Sequence, residues 1–216
     1  MKNTILTICI IAATAILLFS CGDGASNYTT FKDVKIGTQV WMDKNLDVTT
    51  FRNGDPIPEA KTNEEWLRVS ESQRPAWCYY NNDPKNGEKY GKLYNWYAVN
   101  DPRGLAPKGW HVPNIAELRV LIDFLGGQRE AGTKMKSKTG WNEQGNGNNE
   151  SGFNGLPGGG RSTNGTFGSV GNSGGWWSSK EKHSRAWIIH MDYDKERVND
   201  RTIEEQNGLS VRCLRD

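Results

Sequence analysis

His111, His183 and His190 are the only histidines in this 216-residue chain, and no two stand at the i, i+4 spacing that puts a pair of metal ligands on one helix face. His190 falls in an alternating run in which Trp187, Ile189 and Met191 share one face, which leaves it on the other, solvated one. No His-Glu-x-x-His helix occurs, and the one Gly-x-Ser-x-Gly spacing, Gly171 to Gly175, runs into the strand formers Trp176-Trp177 rather than into a helix, so it is not a nucleophile elbow and hydrolytic chemistry has no motif in context. Glu143, Glu150, Asp192 and Asp194 lack a spacing that marks an acid/base pair and read as solvated carboxylates. Asp192-Tyr193-Asp194 and the Asn146 to Glu150 cluster offer oxygens to a cation, without the pattern of a calcium loop. Gly158-Gly159-Gly160 precedes no Gly-Lys-Ser/Thr, so these glycines serve positive φ angles and close backbone approach rather than a phosphate. No catalytic set, metal site or cofactor is expected.

Binding chemistry has more support. Flat aromatic rings stack on the C–H faces of sugars, and Trp176-Trp177 supplies two in succession. On a strand, adjacent side chains point to opposite faces, so at most one of the two turns away from the core. Trp176, Trp177, Arg161, Asp192 and Asp194 are the candidate binding residues.

These side chains need a scaffold. Phe31 to Ile36 and Gln39 to Met42 are rich in strand formers and flank Gly37-Thr38, the signature of a hairpin. Thr62-x-x-Glu65 has capping-box spacing and opens a short helix through Trp66 and Leu67. Trp77 to Tyr80 reads as a strand ending at Asn82-Asp83-Pro84. The clearest helix starts at the N-cap Asn114, with Glu117 at N3 and Ile115, Leu118, Leu121, Ile122 and Leu125 on one stripe; Gly126-Gly127 stops it. From Gly140 to Gly175 the chain holds 13 of its 25 glycines, yet Trp141, Phe153, Leu156, Phe167 and Val170 recur through it. Apolar anchors at such intervals predict an ordered long-loop region rather than a spacer. Strands return at Trp176 to Ser179 and Ala186 to Met191, and Asn207-Gly208 turns into a last strand from Leu209 to Leu214. The pattern predicts an α+β fold: an antiparallel sheet, one well-defined helix, a long glycine-rich loop region, and termini close together.

The start of the chain carries an address. Lys2 precedes an apolar run from Ile5 to Phe19, the length and flanks of a secretory signal. Leu18-Phe19-Ser20-Cys21, which closes the run, resembles the lipobox of bacterial lipoproteins. The resemblance implies a signal peptide over residues 1–20, acylation of Cys21, and a polar tether over 21–30 that holds the domain at a membrane. Gly22-Asp23 lacks aspartate next to the cysteine, and by analogy with lipoprotein sorting this favours the outer membrane, facing either the periplasm or the cell surface. Loss of Lys2 reduces the formal charge from +2 to about +1. A near-neutral domain argues against nucleic acid as a partner. With Cys9 removed and Cys21 lipidated, Cys78 and Cys213 remain, and in an oxidising compartment they are expected to form one disulfide, with two free buried thiols as the alternative. Closing a loop of about 135 residues would stabilise by about 4–5 kcal/mol in the chain-entropy picture.

Six blocks then fall in order: Ile36 to Met42 with Asn45-Leu46, Tyr90 to Val99, Gly109 to Pro113 with Glu117-Leu118, Gly152 to Arg161, Trp176 to Ser179, and Ser210 to Asp216. Together they resemble the Fibrobacter succinogenes major paralogous domain over residues 31–216. That family occurs in secreted and lipid-anchored proteins of Bacteroidetes-type bacteria, mostly without assigned activity. The Trp110 to Leu118 block, the glycine-rich loop and the terminal cysteine strand also resemble the formylglycine-generating enzyme group, which implies a C-type-lectin-like fold. Members of that group oxidise a substrate cysteine with two thiols that hold copper, whereas this chain has only Cys213 near its end. The calcium-lectin motifs of that fold, Glu-Pro-Asn, Gln-Pro-Asp and Trp-Asn-Asp, are not present. The expectation is a non-catalytic module that recognises a glycan or protein at the envelope; an oxidase or hydrolase, or a structural envelope-assembly protein, are the alternatives.

Overall fold

The computed structural model describes residues 31–216. The chain opens with the expected hairpin, β1 (Asp33–Ile36) against β2 (Gln39–Met42). Gly37 turns it with a φ of 60°, and the Phe124 ring lies 2.9 Å from where a Cβ would sit, so glycine serves both the turn and the contact. Helix α1 (Asn63–Glu71) begins in the predicted capping box: the Thr62 hydroxyl accepts from the Glu65 amide, and the Glu65 carboxylate accepts from the Thr62 amide. Strand β3 (Trp77–Cys78) pairs with β4 (Leu93–Tyr94). Between them the chain does not end in a loop, as the turn residues predicted, but winds through a 3-10 turn into α2 (Pro84–Tyr90). Asp83 caps α2 and Pro84 takes its first position, where a missing amide costs nothing. A four-residue α3 (Trp96–Val99) and the short β5 (Trp110–His111) follow.

Helix α4 (Ile115–Phe124) forms where its stripe predicts, with Asn114 and Glu117 closing a second capping box. Leu118, Leu121, Ile122 and Leu125 are buried, and Gly126 and Gly127 leave the helix at φ 103° and 85°. After α5 (Ala131–Met135) the glycine-rich region is ordered, with Trp141 and Phe153 fully buried and Leu156, Phe167 and Val170 half-buried. It also contains two strands, β6 (Gly158–Arg161) and β7 (Phe167–Val170).

β8 (Ser173–Glu181), β9 (Arg185–Asp192) and β10 (Val198–Glu204) then build an antiparallel ladder. The five-stranded sheet has the order β10-β9-β8-β6-β7, and β6 joins β8 in parallel at Gly159 and Gly174. The predicted terminal strand is shorter than its sequence pattern: only β11 (Leu214–Arg215) is regular. Residues 209–213 run extended as a seam, bridging Leu209 to Tyr94 and Ser210 to Trp176. Met42 and Leu46 donate to the carbonyls of Cys213 and Val211 across the same seam. β11 lies between β2 and β5 in a four-stranded sheet, so the end of the chain is fastened to the first hairpin. The architecture is mixed α+β, with several sheets and few helices. No helix among the described residues is long and apolar enough to cross a membrane.

The expected Cys78–Cys213 disulfide is not formed; both are free, buried thiols. The reason lies in strand alternation. Trp77 points into the cluster that contains Cys213, Val211 and Trp177, so its neighbour Cys78 points the other way, among Trp66, Tyr80 and Leu93.

Candidate functional site

An open cleft of about 430 Å³ lies against the five-stranded sheet. Its lining draws on β6, β7, β8, β9 and β10 and on the turn at Asn207. The ladder register explains its floor. Gly175, His190 and Asn199 stand opposite one another in one cross-strand row, and Trp177, Ile188 and Arg201 form the next. Paired residues share a face, so Gly175, Ile188, His190 and Arg201 look the same way. Glycine at 160, 168 and 175 keeps the floor low; a Cβ on Gly168 would meet no atom within 4 Å. Ser162, Thr166, Ser169, Ser173 and Asn207 supply short hydroxyl and amide groups around it.

Three arginines attend the cleft in different states. Arg161 is 1 % exposed and donates to the carbonyls of Gly165, Ala60 and Thr62 and to Asn63 Oδ1, at 2.8 to 3.1 Å. Its guanidinium lies between the rings of Trp66 and Phe167, 4.7 and 4.6 Å from their centres. Arg185 is anchored by Glu204 and by Thr202, whose carbonyl it reaches at 2.8 Å. Arg201 is exposed, and its guanidinium has no hydrogen-bond or ion-pair partner among the described residues.

His190 is not on a solvated face, as alternation alone predicts: its side chain is 14 % exposed and lines the cleft. The alternation is correct, but the face opposite Ile189 and Met191 is itself covered. Burial lowers the His190 pKa below its ordinary value, and the nearby charge of Arg201 lowers it further. Asp192 Oδ2 is 3.9 Å from His190 Nε2 and 3.3 Å from Lys195 Nζ, beside the cleft rather than in it. Asp194 is exposed and pairs with Lys195 at 3.6 Å. Among the described residues, no three His, Cys, Asp or Glu side chains converge as a metal-ligand set.

Of the predicted binding residues, only Arg161 lines the cleft. Trp176 and Trp177 do point to opposite faces, but both faces are packed: the indoles are 1 % and 0 % exposed. Trp176 Nε1 donates to Asn45 Oδ1 at 2.8 Å, and Trp177 Nε1 to the Tyr94 carbonyl at 2.7 Å. Neither ring is available to stack on a sugar. Cys78 and Cys213 also lie away from the cleft, and burial pushes both thiols up to about 12. Cys21, the expected acylation site, lies outside the described residues. Sequence reasoning missed Arg185, His190 and Arg201 as site residues. The available signal was the alternation of Asn199, Arg201 and Ile203 against Asp200, Thr202 and Glu204 in a stretch too polar to read as a strand.

A mixed α+β domain with a terminal strand locked between its first hairpin and β5 defines the class. Residues 34–215 match the Fibrobacter succinogenes major domain. The chain belongs to that family. No curated protein and no solved structure matches it significantly.

Proposed function

We propose that the chain is a lipid-anchored, non-catalytic recognition module of the cell envelope that takes a glycan or an envelope protein in the cleft against β6 to β10. In this reading residues 1–20 are a signal peptide, Cys21 carries the lipid, 21–30 form the tether, and the domain over 31–216 is a C-type-lectin-like variant displayed from the outer membrane. The supporting observation is the cleft itself: a glycine floor, a rim of hydroxyls and amides, and arginines beside them. This is the lining that hydroxyl-rich or backbone-rich ligands use, few groups fixing orientation over an open surface. An oxidase of the formylglycine-generating type needs two thiols in one accessible site, whereas Cys78 and Cys213 face different cores.

Two measurements test the reading. Labelled palmitate should enter the chain and be lost in Cys21→Ala, with the unlabelled variant leaving the membrane fraction. A glycan array and a surface pull-down should return ligands that a bulky Gly168→Trp variant releases. Blank results in both, with turnover on a cysteine-containing peptide, would sink it.

A further inference from the structure

The cleft holds more positive charge than it neutralises. Arg185 is paired with Glu204, which among the described residues is the only carboxylate lining the cleft. Arg161 spends its donors on carbonyl oxygens and one amide, so its charge meets no anion. Arg201 has neither an anion nor a hydrogen-bond acceptor among the described residues, and it stands midway along the edge strand β10, opposite Ile188 and one row from His190. Asp192 is a further carboxylate beside the cleft, and Lys195 already holds it at 3.3 Å. His190, half-buried beside Arg201, carries an inaccessible Nδ1 with no hydrogen-bond partner among the described residues.

An unpartnered planar guanidinium beside an open floor is suited to bidentate capture of a carboxylate. The remaining lining decides between the polymers that carry carboxylates. Five hydroxyl or amide residues ring the cleft, Ser162, Thr166, Ser169, Ser173 and Asn207, and they match a ligand dense in hydroxyls. An acidic peptide would instead need an unpaired strand edge or apolar pockets at alternate residues. The centre of the floor is the face of β8 and β9, which are paired on both sides; the unpaired edges of β7 and β10 lie at its margins. The two indoles that would stack on a neutral sugar are buried, so charge replaces stacking as the anchor.

We infer that the cleft binds an acidic glycan, a chain of hydroxyl-rich units bearing carboxylates, with Arg201 as the residue that takes the carboxylate. The inference rests on the recognition reading above and names the ligand class of that same site. Its test is calorimetry on the full chain in a detergent without a sugar headgroup. The probes are an oligogalacturonate, the matching neutral oligogalactoside and a polyglutamate of equal charge. The oligogalacturonate should bind, weaken as salt is added, and bind at least about tenfold more tightly than the neutral oligomer. Arg201→Gln should remove that advantage with an unchanged melting temperature, while Lys108→Gln, an exposed cation outside the cleft, should leave affinity as it was. Equal binding of the two oligosaccharides, both lost in Gly168→Trp, would overturn the charge inference and leave the recognition reading standing. Tighter binding of polyglutamate, or full affinity in Arg201→Gln, would also overturn it. No binding of any probe would remove both.

Discussion

Trp176 and Trp177 are neighbours in the chain and belong to different cores. Trp176 packs with Phe153, Ile189 and Leu121 under α4, and Trp177 with Tyr94, Ile188 and Val211 on the opposite face of β8. A strand buried on both faces replaces the polar alternation of a solvated sheet with continuous apolar side chains. β8 is therefore the partition between two packed layers, and each indole closes one of them.

Substituting these residues separately should reveal that division. Trp176→Ala and Trp177→Ala should each cost about 3–5 kcal/mol, from lost apolar burial and the cavity left behind. Trp→Phe at either site should cost far less. Asn45 Oδ1 keeps its bond from Arg212 at 2.7 Å, and the Tyr94 carbonyl keeps its bond from Leu209 at 3.1 Å. Denaturant midpoints of the single and double Phe variants should add within about 0.5 kcal/mol. A large coupling would mean that the two cores are one.

The cysteines give a direct chemical test. At neutral pH a thiol pushed up to about 12 is almost wholly protonated, and both sulfurs are also out of reach of solvent. In the native protein neither Cys78 nor Cys213 should react with iodoacetamide. In denaturant without reductant both should be alkylated, each located by peptide mass spectrometry. A disulfide-linked peptide containing the two residues would contradict the arrangement described above.

What could be read from the sequence divides by the kind of physics involved. The first hairpin, α1 and α4 were legible because local signals set them: a turn glycine, two capping boxes and a 3.6-residue stripe. β6 was not, since Gly158-Gly159-Gly160 has no strand propensity and is held in place by pairing with β7 and β8. β10 was hidden by its polar composition as an edge strand. The thiol pairing failed because compartment chemistry says which cysteines are available and not which way each points. The cleft failed for the same reason: His190 and Arg201 meet only through ladder register. Trp176 and Trp177 were read correctly as facing opposite ways, with at most one turned from the core; in the fold both faces of β8 are packed and neither ring is exposed.

Glu205 predicts a stabilising substitution. It is 9 % exposed, and its Oε1 has no partner. Burial raises its pKa above the ordinary carboxylate value, and the charge of Glu181 adds to the rise. A carboxyl whose folded pKa is raised destabilises the fold above that pKa, where it must ionise in place. Below the unfolded value both states are protonated and the penalty vanishes. Glu205→Gln should therefore raise stability by a fraction of a kcal/mol at pH 7, and the gain should fade as pH drops below about 4. A pH-independent gain would point to packing instead of charge.

Asn45 should prove the most sensitive polar position. Its amide donates to the Tyr90 carbonyl at 2.9 Å and the Ser210 hydroxyl at 3.2 Å, and its Oδ1 accepts from Trp176 and Arg212. It thus ties together the loop after β2, the end of α2, β8 and the terminal seam. Arg212 depends on it most. That guanidinium is 1 % exposed, has no acceptor for its Nε, and stacks over Phe153 at 4.5 Å. Burial without a bonded carboxylate pulls it down to about 9, so it is still charged at neutral pH. Asn45→Ala would strip an acceptor from a buried cation and leave the Trp176 N–H unpaired. The cost should be about 3–5 kcal/mol, as for breaking a buried charge's partnership. Asn45→Asp restores the acceptor and adds a countercharge, but removes the donors to Tyr90 and Ser210, so it should recover part of the loss. Urea midpoints of the two variants decide the matter. If Asn45→Ala is the more stable, Arg212 draws its support from the Met42 and Phe153 carbonyls alone.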